Sequence, residues 1–281
     1  MPELPEVETI RRDLLRRVRG RTITGVDFPP DPRGCRLLRR YPSRAAFSRR
    51  LRGRRILDLR RRGKYLLFIL ESGEILIVHL GMSGCLVFSR TGGTAPSHLR
   101  AVLRLRGGGA LRYTDPRKFG EFYLFSSSRG ETAVNPFLLG PEPLEKGFSS
   151  DRLKRVLEER RAPIKAVLLD QKAVAGLGNI YTDEALFRAG LHPRRPSDRV
   201  KAVGVRKLRR AIRAVLSEAI RARGTTAEDG GYRDGAGRAG SFQFRLRVYQ
   251  RKGRPCPRCR TPIATAKIAG RTAHFCPRCQ K

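Results

Sequence analysis

The chain has 281 residues, enough for roughly two domains at about 150 residues each, and its 40% hydrophobic content can fill packed cores, which excludes disorder along the whole length. Lys and Arg total 61 against 25 Asp and Glu, and the resulting +36 points to a polyanionic partner, nucleic acid first, because each neutralised phosphate releases counterions. No apolar run of about 18 residues exists, and the N-terminus MPELPEVETIRR has three Glu and no apolar stretch, so neither a transmembrane helix nor a signal peptide is read; a soluble, cytoplasmic protein is expected.

The first element reads as a helix. Pro5 suits its N1 position, Glu6 and Glu8 its first turn, and Val7, Ile10, Leu14 and Val18 recur at helical spacing until Gly20 closes it. Strands follow at 22–28, 54–59, 64–70, 74–80, 86–88, 99–106, 110–114 and 121–125, with Ser72-Gly73 and Gly107-Gly108-Gly109 as hairpin turns. Many short strands with little helix between them predict a β-sandwich or barrel. Residues 136–150, PFLLGPEPLEKGFSS, are rich in Pro, Gly and Ser and read as an interdomain linker.

Helices then dominate. Ser150 is placed to cap 151–161, Pro163 to open a helix reaching about Gln171, and Asn179 to cap one ending before Gly190. Val205, Leu208, Ile212, Val215 and Ala219 mark the apolar stripe of a longer helix. From Gly224 to Gly240 the chain is Gly-rich and aperiodic, which predicts a mobile loop. Residues 242–281 form a short β unit around cysteines. From Phe244 onward they hold eleven Lys and Arg and no Asp or Glu, an imbalance that an Arg-rich genome composition does not by itself produce.

Two C-x2-C pairs, Cys256/Cys259 and Cys276/Cys279, stand sixteen residues apart. Four thiolates in two knuckles can surround one structural Zn²⁺ tetrahedrally, with a β-hairpin between the knuckles and no open position for a catalytic water. A segment this small lacks the core to fold alone, so metal supplies its folding energy. The competing reading, two disulfides, suits an oxidising compartment rather than a cytoplasmic chain. Arg271 lies on that hairpin, either as a solvated arginine or as a basic tip suited to DNA. Cys35 and Cys85 have no partner at ligand spacing and read as ordinary buried thiols.

At the other end, removal of Met1 would make Pro2 a secondary α-amine, with a pKa of about 8, far below that of lysine. Such an amine can attack a sugar C1′, expel a base and leave an iminium ion that permits β- and then δ-elimination of the flanking phosphates. Glu3 beside it is a candidate general acid, or simply a first-turn helix residue.

The strings MPELPEVETIRRDL at 1–14, GKYLL at 63–67, HLGMSG at 79–84, YTDPRKFG at 113–120, LGPEPL, AGLGNIY and the terminal ribbon together resemble the formamidopyrimidine-DNA glycosylase family, the bacterial 8-oxoguanine repair enzymes, from end to end of the chain. The resemblance implies an α+β multidomain protein: a catalytic β-sandwich with an N-terminal helix over 1–135, a linker at 136–150, a helix-two-turns-helix DNA-binding domain over 151–241 carrying a lesion loop at 224–240, and a β-hairpin zinc finger over 242–281. It implies a bifunctional glycosylase and abasic-site lyase of base excision repair. The enzyme would act as a monomer on duplex DNA containing oxidised purines, in the bacterial cytoplasm and at the nucleoid through DNA.

Residue by residue, Pro2 resembles the Schiff-base nucleophile, Glu3 the acid that assists sugar-ring opening, Lys64 the residue of β-elimination and a phosphate contact, and Arg271 that of δ-elimination. Because a guanidinium does not readily give up its proton, Arg271 is read as a clamp steadying leaving-group charge. Met82, Arg117 and Phe119 resemble the trio that fills the gap left by an extruded base, with core packing as the plain alternative for Met82 and Phe119. His79, His98, Arg161, Lys165 and Asn179 align with backbone contacts, Asn179 also as a helix cap. Two features depart from the pattern: Glu228 stands where relatives often carry Lys or Arg, and Met1 precedes Pro2. An endonuclease VIII-type enzyme for oxidised pyrimidines would share Pro2, Glu3 and the ribbon, but PELPEVE, DPRKFG and the Met82–Arg117–Phe119 trio favour purine lesions. A non-catalytic DNA binder would have lost Pro2, Glu3 or Lys64, and a ribosomal or RNA-binding zinc ribbon leaves the N-terminal string unexplained.

Overall fold

A computed structural model describes residues 1–30, 37–38, 41, 43–90, 95–126, 137–226 and 231–281. The chain divides into two compact units, Met1–Pro136 with Ala222–Ser241, and Phe137–Arg221 with Phe242–Lys281.

The first unit is a β-sandwich. Helix α1 (Leu4–Val18) is followed by β1 (Ile23–Asp27), α2 (Arg44–Leu51), β2 (Ile56–Arg62), β3 (Tyr65–Leu70), β4 (Glu74–His79), β5 (Cys85–Ser89), β6 (Leu99–Leu105), β7 (Ala110–Thr114) and β8 (Glu121–Ser126). The strands form two antiparallel sheets, β1-β6-β7-β5 and β2-β3-β4-β8. All eight predicted strands are present, within two or three residues at each end. Helix α2 was not predicted; Ser43 caps it by accepting the Ala46 N–H at 3.1 Å. Val7, Ile10, Leu14 and Val18 enter one core with Ile23, Leu59, Phe68, Leu76, Leu103, Leu111 and Phe122 from the two sheets. At about 1.5–3 kcal/mol per fully buried side chain, the four helix residues alone contribute several kcal/mol toward fixing α1. Pro5 sits one place later than predicted, behind Leu4 at N1.

Segment 222–241 belongs to this unit, not to the helical one with which the sequence groups it. Its described part is aperiodic, as predicted, but anchored rather than mobile. The Thr225 N–H donates to Glu6 Oε1 at 2.7 Å, and the buried Tyr232 hydroxyl donates to the Glu6 carbonyl at 3.4 Å. Asp234, fully buried, accepts the Ala236 and Arg238 N–H groups at 2.9 Å and Arg223 Nε at 2.6 Å, while Arg223 also pairs with Asp13 on α1. Cys85 is buried and bonds the Gly231 carbonyl at 2.9 Å; Cys35 and Glu228 lie outside the described residues.

The second unit holds α3 (Ser150–Glu158), α4 (Ile164–Leu169), α5 (Asn179–Ala189) and α6 (Ala202–Arg221), then a hairpin of β9 (Ala264–Ile268) and β10 (Arg271–Phe275). Residues 137–149 pack into this unit instead of bridging freely: Leu139 and Phe148 are buried, and the Gly140 N–H donates to the Gln171 carbonyl at 2.8 Å. Two caps fall one residue earlier than predicted, at Ser149 for α3 and Gly178 for α5, and α3 and α4 stop at Glu158 and Leu169. Helices α4 and α5 are joined through two turns stapled by Gln171, whose Nε2 donates to the Leu169 and Leu177 carbonyls and whose Oε1 accepts the Gly176 N–H. Among the described residues no helix is long and apolar enough to cross a membrane.

Glu8, on α1, shows how strongly this frame uses its few acids. Burial raises its pKa, but bonds from Arg11 and Arg12 and the charges of Arg11 and Arg61 outweigh that and hold it at about 2, against the usual 4.5. Its contribution to stability is therefore complete above about pH 4.5 and lost as pH falls toward 2. Glu8→Gln is expected to cost about 1–2 kcal/mol at neutral pH and to flatten the acid limb in that window, read by urea unfolding at stepped pH.

Candidate functional site

Both N-terminal candidates sit where α1 begins. Pro2 is buried and Glu3, 2% exposed, is the N-cap, with its N–H donating to Glu6 Oε2 at 2.8 Å in a capping box. The Glu6 carboxylate thus holds the backbone of Glu3 with one oxygen and that of Thr225 with the other. Lys64 lies in the tight turn from β2 to β3, where Gly63 has φ +56°, and it is nearly buried. Opposite Tyr65 in the sheet, His79 has its ring 4.7 Å from the tyrosine ring. Burial first, and then the Lys64 charge, pulls the His79 pKa down to about 4. At neutral pH it is an uncharged donor rather than the basic contact the sequence suggests.

The HLGMSG and DPRKFG turns meet backbone to backbone. Gly81 (φ +68°) leaves no room for a Cβ, which would stand 2.5 Å from the Phe119 carbonyl carbon, and a Cβ on Gly120 would collide with the Tyr113 hydroxyl. Asp115 organises both turns from a buried position: Oδ1 accepts Ser83 Oγ at 2.6 Å and the Arg117 N–H at 3.2 Å, and Oδ2 accepts the Gly120 N–H at 2.8 Å and the Tyr113 hydroxyl at 3.1 Å. Phe119 is 53% exposed with the Arg117 guanidinium 5.4 Å above its ring, and Met82 is half-buried. Phe119 is therefore a tip and not a core residue. His98, exposed at φ +60°, accepts the Asp115 N–H on its carbonyl at 3.0 Å.

In the second unit Arg161 and Arg271 are exposed, but Lys165 is fully buried. Its ammonium is 2.5 Å from Asp183 Oδ1 and donates to the Thr272 carbonyl at 2.9 Å, so it is not the surface contact assigned from sequence. Asn179 is the first residue of α5 and no cap; its Nδ2 donates to the same Thr272 carbonyl at 3.1 Å. Lys165, Asn179 and the residue after Arg271 are thereby brought together.

The four ribbon cysteines converge, with all sulfurs within 4.8 Å of one another. The Cys256–Cys279 and Cys259–Cys276 separations, 3.9 and 3.5 Å, match the ~3.8 Å edge of a tetrahedron built on Zn–S bonds of about 2.3 Å, and are far too long for disulfides. N–H groups of Arg258 and Cys279 point at Cys256 and Cys276 sulfurs at 3.4 Å, as thiolates require. These residues fit one structural zinc ion with a closed shell.

Comparison with known proteins matches the chain to three family profiles in succession: the formamidopyrimidine-DNA glycosylase N-terminal domain over 1–122, its H2TH domain over 139–230, and the zinc finger found in FPG and IleRS over 253–281. A formamidopyrimidine-DNA glycosylase of Heliobacterium modesticaldum is 46% identical, over 100% of both chains. The chain belongs to the formamidopyrimidine-DNA glycosylase family. Among solved members, the MutM (Fpg) protein of Thermus thermophilus is 44% identical with a TM-score of 0.86, covering 99% of this chain and 98% of that one. A point mutant of Lactococcus lactis Fpg, in complex with Fapy-dG-containing DNA, is 33% identical with a TM-score of 0.90 over 100% of both.

Within this glycosylase-family frame, sequence reading missed three organising residues: Asp115, Gln171 and Asp183. Asp115 stands inside the YTDPRKFG motif, where an acid before Pro in a turn was an available signal; Gln171 bonds residues two to six positions away but needs the two-turn geometry to do so, and Asp183 depends on partners 18 and 91 positions away. Cys256→Ser is expected to lose most of the bound zinc by elemental analysis and to unfold 253–281 with it; unchanged metal content contradicts the four-sulfur site.

Proposed function

We propose that this protein excises oxidised purines, 8-oxoguanine and formamidopyrimidines, from duplex DNA and then cleaves the abasic strand. The observation that carries the reading is the placement of Pro2 and Glu3 at the buried, capped start of α1, in a chain matched to one family from end to end. Solved relatives in complex with DNA containing Fapy-dG, carbocyclic 8-oxo-G or an abasic site support the substrate class.

Once Met1 is removed, the Pro2 nitrogen attacks C1′ and the bond to the base breaks, with Glu3 protonating the ring oxygen as the sugar opens. The iminium then acts as the electron sink. Loss of the C2′ proton, with Lys64 as the participating group, breaks the C3′–O bond and sends the electron pair out with the 3′-phosphate. Loss of the C4′ proton then breaks the C5′–O bond, and Arg271 balances the charge on the departing 5′-phosphate. Met82, Arg117 and Phe119 enter the space left by the extruded nucleotide, recovering part of the few kcal/mol that flipping costs. His79, as a neutral donor, and His98, Arg161 and Asn179 hold the DNA backbone. Segment 224–240 is the lesion loop, and the +36 charge draws in the duplex of a bacterial nucleoid.

Borohydride added to the mature protein with an 8-oxoguanine:cytosine duplex is expected to give a covalent band attached at Pro2 by peptide mapping. Pro2→Gly or retention of Met1 is expected to lower trapping at least a hundredfold, since no secondary amine then stands at that place. Full trapping by either form removes Pro2 from the mechanism, and a band only with thymine glycol moves the enzyme to pyrimidine lesions.

A further inference from the structure

Lys165 and Asp183 form an ion pair, 0% and 1% exposed, that no step of the proposed reaction uses. Removing two charges from water costs several kcal/mol per ion, and the site offsets this with further hydrogen bonds to both groups. Lys165 Nζ donates to the Thr272 carbonyl, and Asp183 Oδ2 accepts the His274 N–H at 2.9 Å and faces His274 Nδ1 at 3.2 Å.

The position of those backbone groups matters. Among the described residues, strands β9 and β10 pair only with each other, and their two-residue turn, Ala269-Gly270, has positive φ at both residues. With Arg271 opposite Ile268 as the pair closing the turn, Thr272 and His274 occupy the alternate positions whose N–H and C=O groups face away from the partner strand. A two-stranded ribbon is marginal by itself. Zinc clamps its root, because Cys259 precedes β9 and Cys276 follows β10. The Lys165–Asp183 pair, with Asn179 beside it, grips the outer edge of β10 immediately after Arg271.

We infer that Lys165 and Asp183 are positioning residues for Arg271: their buried pair fixes the first residues of β10 against α4 and α5 and so governs the δ-elimination step in particular. The inference rests on the reaction proposed above. Chemistry at C1′ and C2′ is assigned to Pro2, Glu3 and Lys64 in the other unit, so displacing the hairpin tip slows the loss of the 5′-phosphate while imine formation continues.

The decisive variant is the double substitution Lys165→Met with Asp183→Leu, which removes both charges and strands neither. Mature wild type and variant, matched for zinc by elemental analysis, are incubated with a duplex containing one abasic site. The strand ending in 3′-phosphate (δ product) is then compared with that ending in the unsaturated aldehyde (β product). Borohydride trapping is expected to stay within about twofold of wild type, while the δ-to-β ratio falls about tenfold, the equivalent of a 1.4 kcal/mol higher barrier. An unchanged ratio in the zinc-loaded variant overturns the inference, as does an equal loss of trapping and of both products. Should the double variant not hold zinc, Asp183→Asn, which keeps the size and one acceptor, is expected to lower the ratio about threefold, less than 1 kcal/mol, and an unchanged ratio there overturns the inference as well. A wild-type protein that neither traps nor cleaves defeats the reaction reading itself, and that failure is distinguishable because it precedes any variant.

Discussion

A chain terminus is ordinarily the least ordered part of a domain, yet Pro2 and Glu3, to which the proposed reaction assigns the imine chemistry, are buried. The constraint that makes this workable is the complete burial of the apolar face of α1: Val7, Ile10, Leu14 and Val18 are inaccessible and are shared with both sheets of the sandwich. Once the helix is fixed, its cap is fixed, and Glu3 and Pro2 with it. The anchoring of 222–241 follows from the same helix, because Glu6 and Asp13 supply its attachment points.

The charge balance is better understood from its minority. Among the described residues nine acids are buried, and six of them, Glu6, Glu8, Asp115, Asp183, Glu184 and Asp234, tie together separate segments of the chain. Glu184 is typical: one of its oxygens accepts the N–H groups of Arg247, Val248 and Tyr249, docking the approach to the ribbon onto α5. The basic excess that remains, +36 over the whole sequence, sets the field a polyanion meets.

The strands were legible because alternation and Gly-rich turns are local signals, and the zinc site because ligand spacing is local too. Helix α2 was not, having only Phe47 and Leu51 as buried residues among eight, three of them Arg. Its one signal was Ser43. The cap errors at Ser149/Ser150 and Gly178/Asn179 are of one kind: composition offers two adjacent capping residues, and backbone geometry chooses between them. Lys165 failed for a deeper reason. A lysine in a basic chain reads as a surface cation, and only partners 18 and 107 positions away, Asp183 and the Thr272 carbonyl, convert it into an interior one. The depressed pKa of His79 was hidden likewise, since its causes are enclosure and a neighbour brought round by the β2–β3 turn.

The sandwich unit is discontinuous: the chain leaves it at Pro136 and re-enters at Ala222 for twenty residues. On the ribosome, where chains emerge N-terminus first at about 5–20 residues per second, α1 is therefore made long before the segment that its Glu6 and Asp13 bind. For roughly 10–40 seconds at that pace Asp13 and one oxygen of Glu6 lack those partners, while the other Glu6 oxygen can already accept the Glu3 N–H. The nascent sandwich must tolerate that interval without its last piece, and the dense Glu8–Arg11–Arg12–Arg61 cluster, complete within the first 61 residues, is the part of the frame available to hold it meanwhile.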